Sequence, residues 1–337
     1  MTLKDVAKRA NCSIATVSLA INNRPGVSPK TRERILGIAK EMGYAPNSIA
    51  RSLALNKTST LGLLITDIEN PFFGNLVHHI SIAARKKDYS LIISTSDDEF
   101  SKENEALGVF LNRKVDGVIV VPTQRIPTDY SMFHILKTNN VPLLFSVSYY
   151  PEIETDRVLT DYTKGSYQLT RYLLNLGHKE ILFLTGADIN APINKDRVEG
   201  YKNAYDEAHI PFNMANIITC NQPTFFEGYR AVTNLLKQKA LPDAIIGIND
   251  VLALGAKKAA EELKLSVPQD ISIAGYDDVI YASLLEKPLT TVKQDIKEIA
   301  DKSVDFLIQR IKHPQKPFEQ ILIQPELIVR DTTGVKR

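Results

Sequence analysis

The chain of 337 residues has two cysteines, no tryptophan and no apolar run near the roughly 18 residues that a membrane-spanning helix needs. Because Cys12 and Cys220 stand alone, a disulfide scaffold is excluded and a reduced, cytoplasmic environment is expected. The segment Met1–Ala10 lacks the apolar block of a signal peptide, so secretion is not expected. Hydrophobic residues make up 44% of the chain, which is enough for two or three folded domains and excludes a disordered protein.

The sequence also lacks the common enzyme signatures. No two glycines lie two positions apart, so the G-x-G-x-x-G fingerprint is absent, as are a Walker A loop, G-x-S-x-G and H-E-x-x-H. The histidines show no metal-ligand spacing; they are His78, His79, His134, His178, His209 and His313. We therefore expect no catalytic site, no metal ion and no cofactor, and an enzyme is the least favoured of the functions considered.

Charge is distributed unevenly along the chain, although its total nearly balances. Residues 1–57 carry ten Lys and Arg against three Asp and Glu, whereas the remaining 280 residues carry 31 against 36. A small basic segment ahead of a mildly acidic body favours a polyanion as the partner of that segment. A solvated basic face without a partner is the alternative that charge alone leaves open.

The basic segment is predicted to form three short helices. Thr2 and Asp5 have the spacing of a capping box, and Ser13 is a suitable cap for a second helix. Ser28 is followed by proline at the first helical position, and Gly43 ends the third apolar stripe. The pattern indicates a helix-turn-helix unit whose second helix has one free face, although a three-helix bundle that binds protein would share the pattern.

Four pieces of this segment, in order and at matching spacing, resemble the DNA-binding head of the LacI/GalR repressor family: Thr2–Ala7, Ala15–Ser18, Gly43–Asn47 and Ala50–Leu53. The resemblance implies a homodimer, with a higher assembly left open, on a palindromic double-stranded DNA operator. It also implies a second helix in the major groove and a hinge helix over about residues 46–55, whose Leu53 wedges into a minor-groove base step. The implied DNA-binding residues are Thr2, Lys4, Ile14, Ala15, Thr16, Ser18, Leu19, Asn22, Asn47, Ala50, Arg51 and Leu53.

One departure from the family concerns the base-reading helix. Ile14, Ala15 and Leu19 occupy positions where family members usually carry polar residues. Apolar side chains contact thymine methyl groups but cannot form the bidentate bonds of Arg or Asn. We therefore expect an operator that is recognised in part through thymine methyl groups.

The body of the chain alternates short apolar runs with longer amphipathic stretches, which is typical of βα units in a parallel sheet. The runs form two sets: Leu61–Thr66, Leu91–Ser94, Gly117–Val121 and Val141–Phe145, then Ile181–Thr185, Asn216–Thr219, Ala244–Ile248 and Ile271–Ala274. The predicted fold is α/β, a helix-turn-helix headpiece with a hinge helix, then a two-lobed core of doubly wound parallel sheets similar to periplasmic binding proteins.

The predicted domains are a DNA-binding headpiece over 1–57 and an effector-binding and dimerisation core over 58–337. Within the core, the first lobe is expected to span about 60–160 and 291–320, and the second about 162–288 and 322–337. The resemblance implies that the chain crosses between the lobes three times, near 159–163, 288–293 and 320–324. Polar residues gather at the carboxyl ends of the strands, where such sheets bind ligands, so a cleft between the lobes is expected.

The resemblance places a small-molecule effector, a sugar or sugar derivative, in this cleft. The implied effector-binding residues are Asn70, Phe72, Phe73, Gln124, Arg197, Asn249, Asp250 and Asp277. Taken alone, the two phenylalanines could belong to the core, Arg197 to a helix surface, and each strand-end polar residue to a helix cap. Val147 stands where many relatives carry Asp, and Pro223 where an aromatic residue often stacks, so a less acidic cleft is expected.

The sequence therefore predicts a DNA-binding transcription regulator, a repressor of the LacI/GalR type. Effector binding is expected to change the angle between the lobes, and so the affinity for the operator, in either direction. The rival function is a sugar-binding module of a transport system without DNA binding. A signal peptide and the absence of a basic head would favour that rival.

Overall fold

The computed structural model describes residues 1–44, 57–127, 129–186, 188–238 and 241–336. The chain divides into two compact units, Met1–Thr58 and Ser59–Arg337. The predicted hinge helix lies outside the described residues, as do its predicted DNA-contacting residues, Asn47, Ala50, Arg51 and Leu53.

The first unit contains the three helices that the sequence predicts. They are α1 (Leu3–Arg9), α2 (Ile14–Ile21) and α3 (Pro29–Glu41). Thr2 and Asp5 form the capping box, and Ser13 and Ser28 each accept a hydrogen bond from a backbone N–H of the helix that follows. Between α1 and α2 the chain turns at Asn11, whose φ of 49° is the left-handed conformation that Asn tolerates.

Small side chains let the three helices pack closely. Val6, Val17 and Ile35, one from each helix, are fully buried, and alanines fill the remaining space between them. This core is small, so close packing rather than the amount of buried area determines its geometry. It leaves Ile14 and Ala15 on the outer face of α2 exposed.

The first lobe of the second unit is a six-stranded parallel sheet in the order β2-β1-β3-β4-β5-β11. Its strands are β1 (Thr60–Ile65), β2 (Ser90–Thr95), β3 (Gly117–Val120), β4 (Leu143–Ser146), β5 (Asp156–Thr160) and β11 (Gln320–Ile323). Its helices are α4 (Pro71–Arg85), α5 (Phe100–Asn112), α6 (Ser131–Thr138) and α12 (Ile296–Lys312). Helices cover both faces, which explains why β1 and β3 are continuous apolar runs.

The second lobe is a four-stranded parallel sheet in the order β7-β6-β8-β9. Its strands are β6 (Ile181–Thr185), β7 (Ile217–Thr219), β8 (Ala244–Gly247) and β9 (Ser272–Ala274). Its helices are α7 (Tyr162–Asn175), α8 (Pro192–Glu207), α9 (Phe225–Gln238), α10 (Asp250–Glu262) and α11 (Ile280–Leu284), with a 3₁₀ turn at Met214–Asn216. The predicted doubly wound lobes are confirmed, and the eight predicted strands differ from the observed ones by at most two residues at either end.

The chain leaves one sheet for the other lobe after β5, after β9 and after β11. After β9, strand β10 (Thr291–Lys293) leads into α12 of the first lobe, and β12 (Glu326–Ile328) pairs with it in an antiparallel ribbon. Strand β11 extends the first-lobe sheet to Ile323, three residues past the predicted end at 320, because it pairs with β5 along its whole length. Among the described residues, no helix is long and apolar enough to cross a membrane.

A buried ion pair joins α12 to the edge of the first-lobe sheet. Arg310 binds both carboxylate oxygens of Asp156 at 2.8 and 2.9 Å, and its remaining N–H groups donate to the backbone carbonyls of Pro314, Lys316 and Pro317. Asp156 also accepts from the backbone N–H of Glu319. The pair therefore positions the loop that delivers β11 to the sheet.

Replacing Arg310 by Met should lower the free energy of unfolding by about 3–5 kcal/mol, because the buried carboxylate of Asp156 would lose its partner. Urea unfolding followed by circular dichroism measures this change. The matched control is Lys297→Met on the same helix, where an exposed pair with Asp301 contributes little. Equal midpoints for wild type and Arg310→Met would show that the pair does not anchor the loop.

Candidate functional site

A cavity of about 410 Å³ lies between the two lobes of the second unit, at the carboxyl ends of their strands. It is lined by Thr66, Asp67, Ile68, Glu69, Asn70, Phe72, Phe73, Asp97, Asp98, Gln124, Val147, Ile193, Arg197, Gln222, Pro223, Thr224, Ile248, Asn249, Asp277 and Gln294. Its volume suits a small molecule of a few rings or fewer. Both lobes and one of the segments that join them contribute to the wall.

The structure brings most of the predicted effector residues to this cavity. Those on its wall are Asn70, Phe72, Phe73, Gln124, Arg197, Asn249 and Asp277. Asp250 is the exception, since its carboxylate is fully buried, accepts from Thr291 Oγ1 and from the backbone N–H of Val279, and does not line the cavity. Burial raises the pKa of Asp250 well above its ordinary value. Asp250 therefore bonds β10 to the second lobe, and its carboxylate is not among the groups that line the cavity.

Arg197 projects from α8 and is almost completely buried between two tyrosine rings. Its guanidinium carbon lies 4.4 Å from the ring centre of Tyr162 and 4.6 Å from that of Tyr276. The nearest carboxylate oxygen, Oδ1 of Asp277, is 4.0 Å from its Nη2, and Nε has no hydrogen-bond partner among the described residues. The side chain is thus held by stacking, with hydrogen-bonding capacity left over.

Asp277 forms the acidic counterpart of this arginine. Burial raises its pKa to about 7, and the nearby Arg197 and a hydrogen bond from Gln294 Nε2, at 2.7 Å, act in the opposite direction. Its backbone has a φ of 113°, which is rare for any residue other than glycine. Desolvation disfavours the charged form of a carboxyl group in this position. Hydrogen bonds donated by a ligand would offset that cost.

The first-lobe wall combines aromatic rings with amides. Asn70 caps α4 by accepting from the N–H of Phe72, and the rings of Phe72 and Phe73 meet edge to face at 5.2 Å. Gln124 follows β3, and its Oε1 is buried without a hydrogen-bond partner among the described residues. Oδ1 of Asn194, which lies beside Gly186 together with Gln124, is in the same state. Two unpartnered acceptors and one unpartnered guanidinium nitrogen therefore lie on or beside this wall.

The second-lobe wall is built around Asn249. Its Oδ1 caps α10 by accepting from the N–H of Leu252, and its Nδ2 donates to the carbonyl of Pro223. Asn249 therefore caps a helix and also lines the cavity. The neighbouring Phe225 and Phe226 do not line the cavity. In the described part of the second lobe, no aromatic ring therefore takes the stacking position that Pro223 occupies in this sequence.

Sequence reasoning missed three residues that shape the cleft. Tyr162 and Tyr276 hold Arg197, and Gln294 donates to Asp277. Gly165 on α7 makes this possible, because a Cβ atom there would lie 2.2 Å from the hydroxyl oxygen of Tyr276. Their position in the sequence could have identified two of them. Tyr162 and Gln294 lie at or next to the ends of the predicted crossings, which are the segments that touch both lobes.

The segment after β3 connects the lobes beside the cavity. Arg125 donates to the carbonyl of Asn221 at 3.3 Å and lies 3.6 Å from the carboxylate of Asp98. The N–H of Ile126 donates to Asp188 at 3.3 Å. These contacts are long and lie at exposed residues, so they hold the lobes together only weakly.

In the first unit, the candidate nucleic-acid interface is the outer face of α2. Ile14 and Ala15 are exposed, whereas Thr16, Ser18, Leu19 and Asn22 are half-buried. Asn22 Nδ2 donates to the carbonyl of Ser18, which leaves its Oδ1 as the free acceptor. The hydroxyl of Thr2 is engaged in the capping box, and Lys4 is exposed on α1. This face combines three apolar side chains, Ile14, Ala15 and Leu19, with three polar ones, Thr16, Ser18 and Asn22.

Comparisons with known proteins agree along the whole chain. Residues 2–47 match bacterial regulatory proteins of the lacI family, and residues 170–333 match the periplasmic binding protein-like domain. The ribose operon repressor of Haemophilus influenzae is 32% identical over 332 residues, 98% of each chain. The lac repressor dimer bound to operator and the anti-inducer ONPF has a TM-score of 0.87 at 28% identity, over 99% of each chain.

A second solved structure, a LacI family transcriptional regulator from Enterococcus faecium with bound ribose, has a TM-score of 0.74 at 28% identity and covers 82% of this chain and 100% of that one. The three-helix first unit, the two-lobed core and the similarity over nearly the full length agree with one another. The chain belongs to the LacI family of bacterial regulatory proteins, which are DNA-binding transcription regulators and not enzymes.

Proposed function

We propose that this regulator is a cytoplasmic repressor that binds a palindromic operator as a homodimer and responds to an uncharged, polyhydroxylated effector in the cleft. The headpiece is assigned to about residues 1–57 and the effector-binding core to residues 58–337. The predicted residues on α2 and in the hinge segment contact the operator. The predicted residues on the cavity wall, apart from Asp250, contact the effector. A sugar or sugar derivative has the required chemistry.

The observation that carries the effector proposal is the state of Arg197. A guanidinium that is 5% exposed and lacks a hydrogen bond at Nε is costly unless another group completes its coordination. Hydroxyl oxygens of a ligand in the cavity accept from the guanidinium of Arg197, which lines it, and the same hydroxyl groups donate to carboxylate oxygens of the wall such as those of Asp277. A polyol satisfies both because each hydroxyl is donor and acceptor.

Charge balance on the wall argues for a neutral ligand. Five acidic side chains line the cavity against one guanidinium; they are Asp67, Glu69, Asp97, Asp98 and Asp277, of which Asp277 has a pKa raised to about 7. An anionic effector would meet net repulsion, and several amides offer both donors and acceptors to a neutral one. The rings of Phe72 and Phe73 supply an apolar surface for the C–H face of a sugar ring.

Related proteins support the same ligand class. The Enterococcus faecium regulator was solved with ribose, and the regulator CelR was solved in complex with cellobiose. We infer a monosaccharide or a close derivative for this chain, since its cavity of about 410 Å³ lies at the small end of ligand sites.

The dimer proposal is supported by exposed apolar side chains of the second lobe. Ile280, Tyr281 and Leu284 on the short helix α11 are 62%, 54% and 70% exposed. Large apolar groups concentrated in this way favour burial against another protein surface. A second copy of the chain fits, because an operator with two half-sites requires two recognition helices.

Effector control follows from the position of the cleft between lobes that are joined weakly beside it. A ligand that contacts both lobes stabilises one lobe angle, and its differential affinity for the two arrangements sets the coupling, typically about 1–3 kcal/mol. Whether the effector lowers or raises the affinity for the operator depends on which of the two lobe angles binds the operator more tightly.

Arg197→Met should abolish the rise in melting temperature that a bound monosaccharide produces, because the ligand would lose its cationic contact. Differential scanning fluorimetry with a panel of common pentoses and hexoses measures this rise. Arg171→Met, at an exposed arginine on α7, is the matched control and should retain the wild-type response. A wild-type protein that responds to no sugar of the panel would contradict the effector proposal.

Asp277→Asn should reduce the loss of stability that occurs as pH rises from 5 to 8. Because the folded-state pKa of Asp277 is raised from 3.8 to about 7, the folded protein binds a proton that the unfolded chain has released. The free energy of unfolding therefore falls as pH rises through this interval, and Asn removes this contribution.

Urea unfolding at several pH values measures the difference between Asp277→Asn and wild type. Asp206→Asn, at an exposed residue, serves as the control and should follow the wild-type curve. Parallel curves for Asp277→Asn and wild type would mean that Asp277 does not hold a proton in the folded protein.

Leu19→Ala should change operator preference at the positions that this side chain contacts, with loss of discrimination for thymine by about 1–3 kcal/mol per contacted base pair. Selection from randomised duplexes gives the preference, and a salt series on the selected operator should give a steep loss of affinity. Leu36→Ala, an exposed leucine on α3, is the control. An unchanged preference in Leu19→Ala would refute the thymine contact.

A further inference from the structure

The end of β4 forms a strained turn on the cavity wall. Val147 has a φ of 70°, and the N–H of Ser148 donates to the carbonyl of Ser146 at 2.7 Å. A hydrogen bond between residues two apart, around a central residue of positive φ, defines a γ-turn of the rare, strained type. A β-branched side chain in this conformation is an outlier, because its γ-carbons crowd the backbone.

Elsewhere in the described ranges, no β-branched residue has a positive φ. Every other non-glycine residue of positive φ there is Asn, Asp, Ser, Lys or His. Asn or Gly at position 147 would adopt the same backbone with less strain. Such strain persists where the surrounding structure requires the side chain, and Val147 both packs in the buried cluster and lines the cavity.

The surroundings of Val147 fix its direction. Its N–H donates to the carbonyl of Val158, and its own carbonyl accepts from the hydroxyl of Tyr162 at 2.9 Å. The ring of Tyr162 in turn stacks on Arg197. Val147 is 4% exposed and lines the cavity, so its isopropyl group forms part of the surface that an effector touches next to the stacked arginine.

We propose that Val147 determines effector specificity by presenting C–H surface where the effector has no hydroxyl group. The selected ligand is a sugar or sugar derivative with a methyl or methylene group at this wall. A hydroxyl directed there would give up its bonds to water without a replacement, whereas an apolar group gains from burial. This inference rests on the proposed effector function, and it adds which member of the sugar class fits.

Matched monosaccharide pairs that differ by one hydroxyl test the proposal. Titration calorimetry on the full-length protein compares D-galactose with D-fucose, D-glucose with D-quinovose, and D-ribose with deoxy-D-ribose. We expect wild type to bind the deoxy member of at least one pair roughly 10- to 100-fold more tightly. Val147→Asn should narrow or reverse that preference, and Val147→Ala, which stays apolar, should keep it.

Thermal unfolding without ligand tests the strain. Val147→Gly should be at least as stable as Val147→Ala, although it removes one more carbon from the buried cluster around Val147, because glycine adopts a positive φ without strain. If Val147→Asn fails to fold, Val147→Gly gives the stability result and Val147→Ala with wild type gives the ligand result.

The outcomes separate this inference from the effector proposal. A wild type that binds sugars without favouring any deoxy member, or a Val147→Asn protein with an unchanged preference, would overturn the role of Val147 and leave the sugar effector in place. A wild type that binds no member of the panel would overturn both.

Discussion

The cleft depends on a buried cation that the protein only partly compensates. Arg197 is stacked between Tyr162 and Tyr276, and Asp277 approaches its guanidinium no closer than 4.0 Å. A buried charge of this kind is stable only while its surroundings stay in place. The two tyrosines come from different segments, Tyr162 from the crossing after β5 and Tyr276 from the second lobe after β9. The packing of these two segments therefore positions Arg197 on the cavity wall.

Sequence patterns predicted the features that depend on residues close together in the chain. Helix caps at Thr2, Ser13 and Ser28 and the apolar strand runs are set by residues a few positions apart, and the structure confirms them. The same reasoning placed Asp250 on the cavity wall, because a strand-end carboxylate has the same sequence context whether it faces a ligand or a neighbouring strand. Its partner Thr291 is 41 residues away, and only the folded chain shows that contact.

The residues that sequence reasoning missed share one property: their roles depend on distant parts of the chain. Gln294 matters because it reaches Asp277, and Tyr276 because Gly165 leaves room for its hydroxyl. Left-handed conformations are a second signal that one sequence does not reveal. Asp97, Asp98, Val147 and Asp277 all combine positive φ with a place on the cavity wall. Rules of local preference are broken most often where function sets the conformation.

Weak contacts between the lobes beside the cavity allow a ligand to act as a switch. A ligand shifts an equilibrium only by its differential affinity for two states, so rigidly joined lobes would leave little for a small molecule to change. Beside the cavity, the bonds from Arg125 and Ile126 to the second lobe are each 3.3 Å long and involve exposed residues. A few hydrogen bonds from an effector that touches both lobes are comparable in strength. The scaffold therefore keeps its rigidity within each lobe and leaves the angle between them to the ligand.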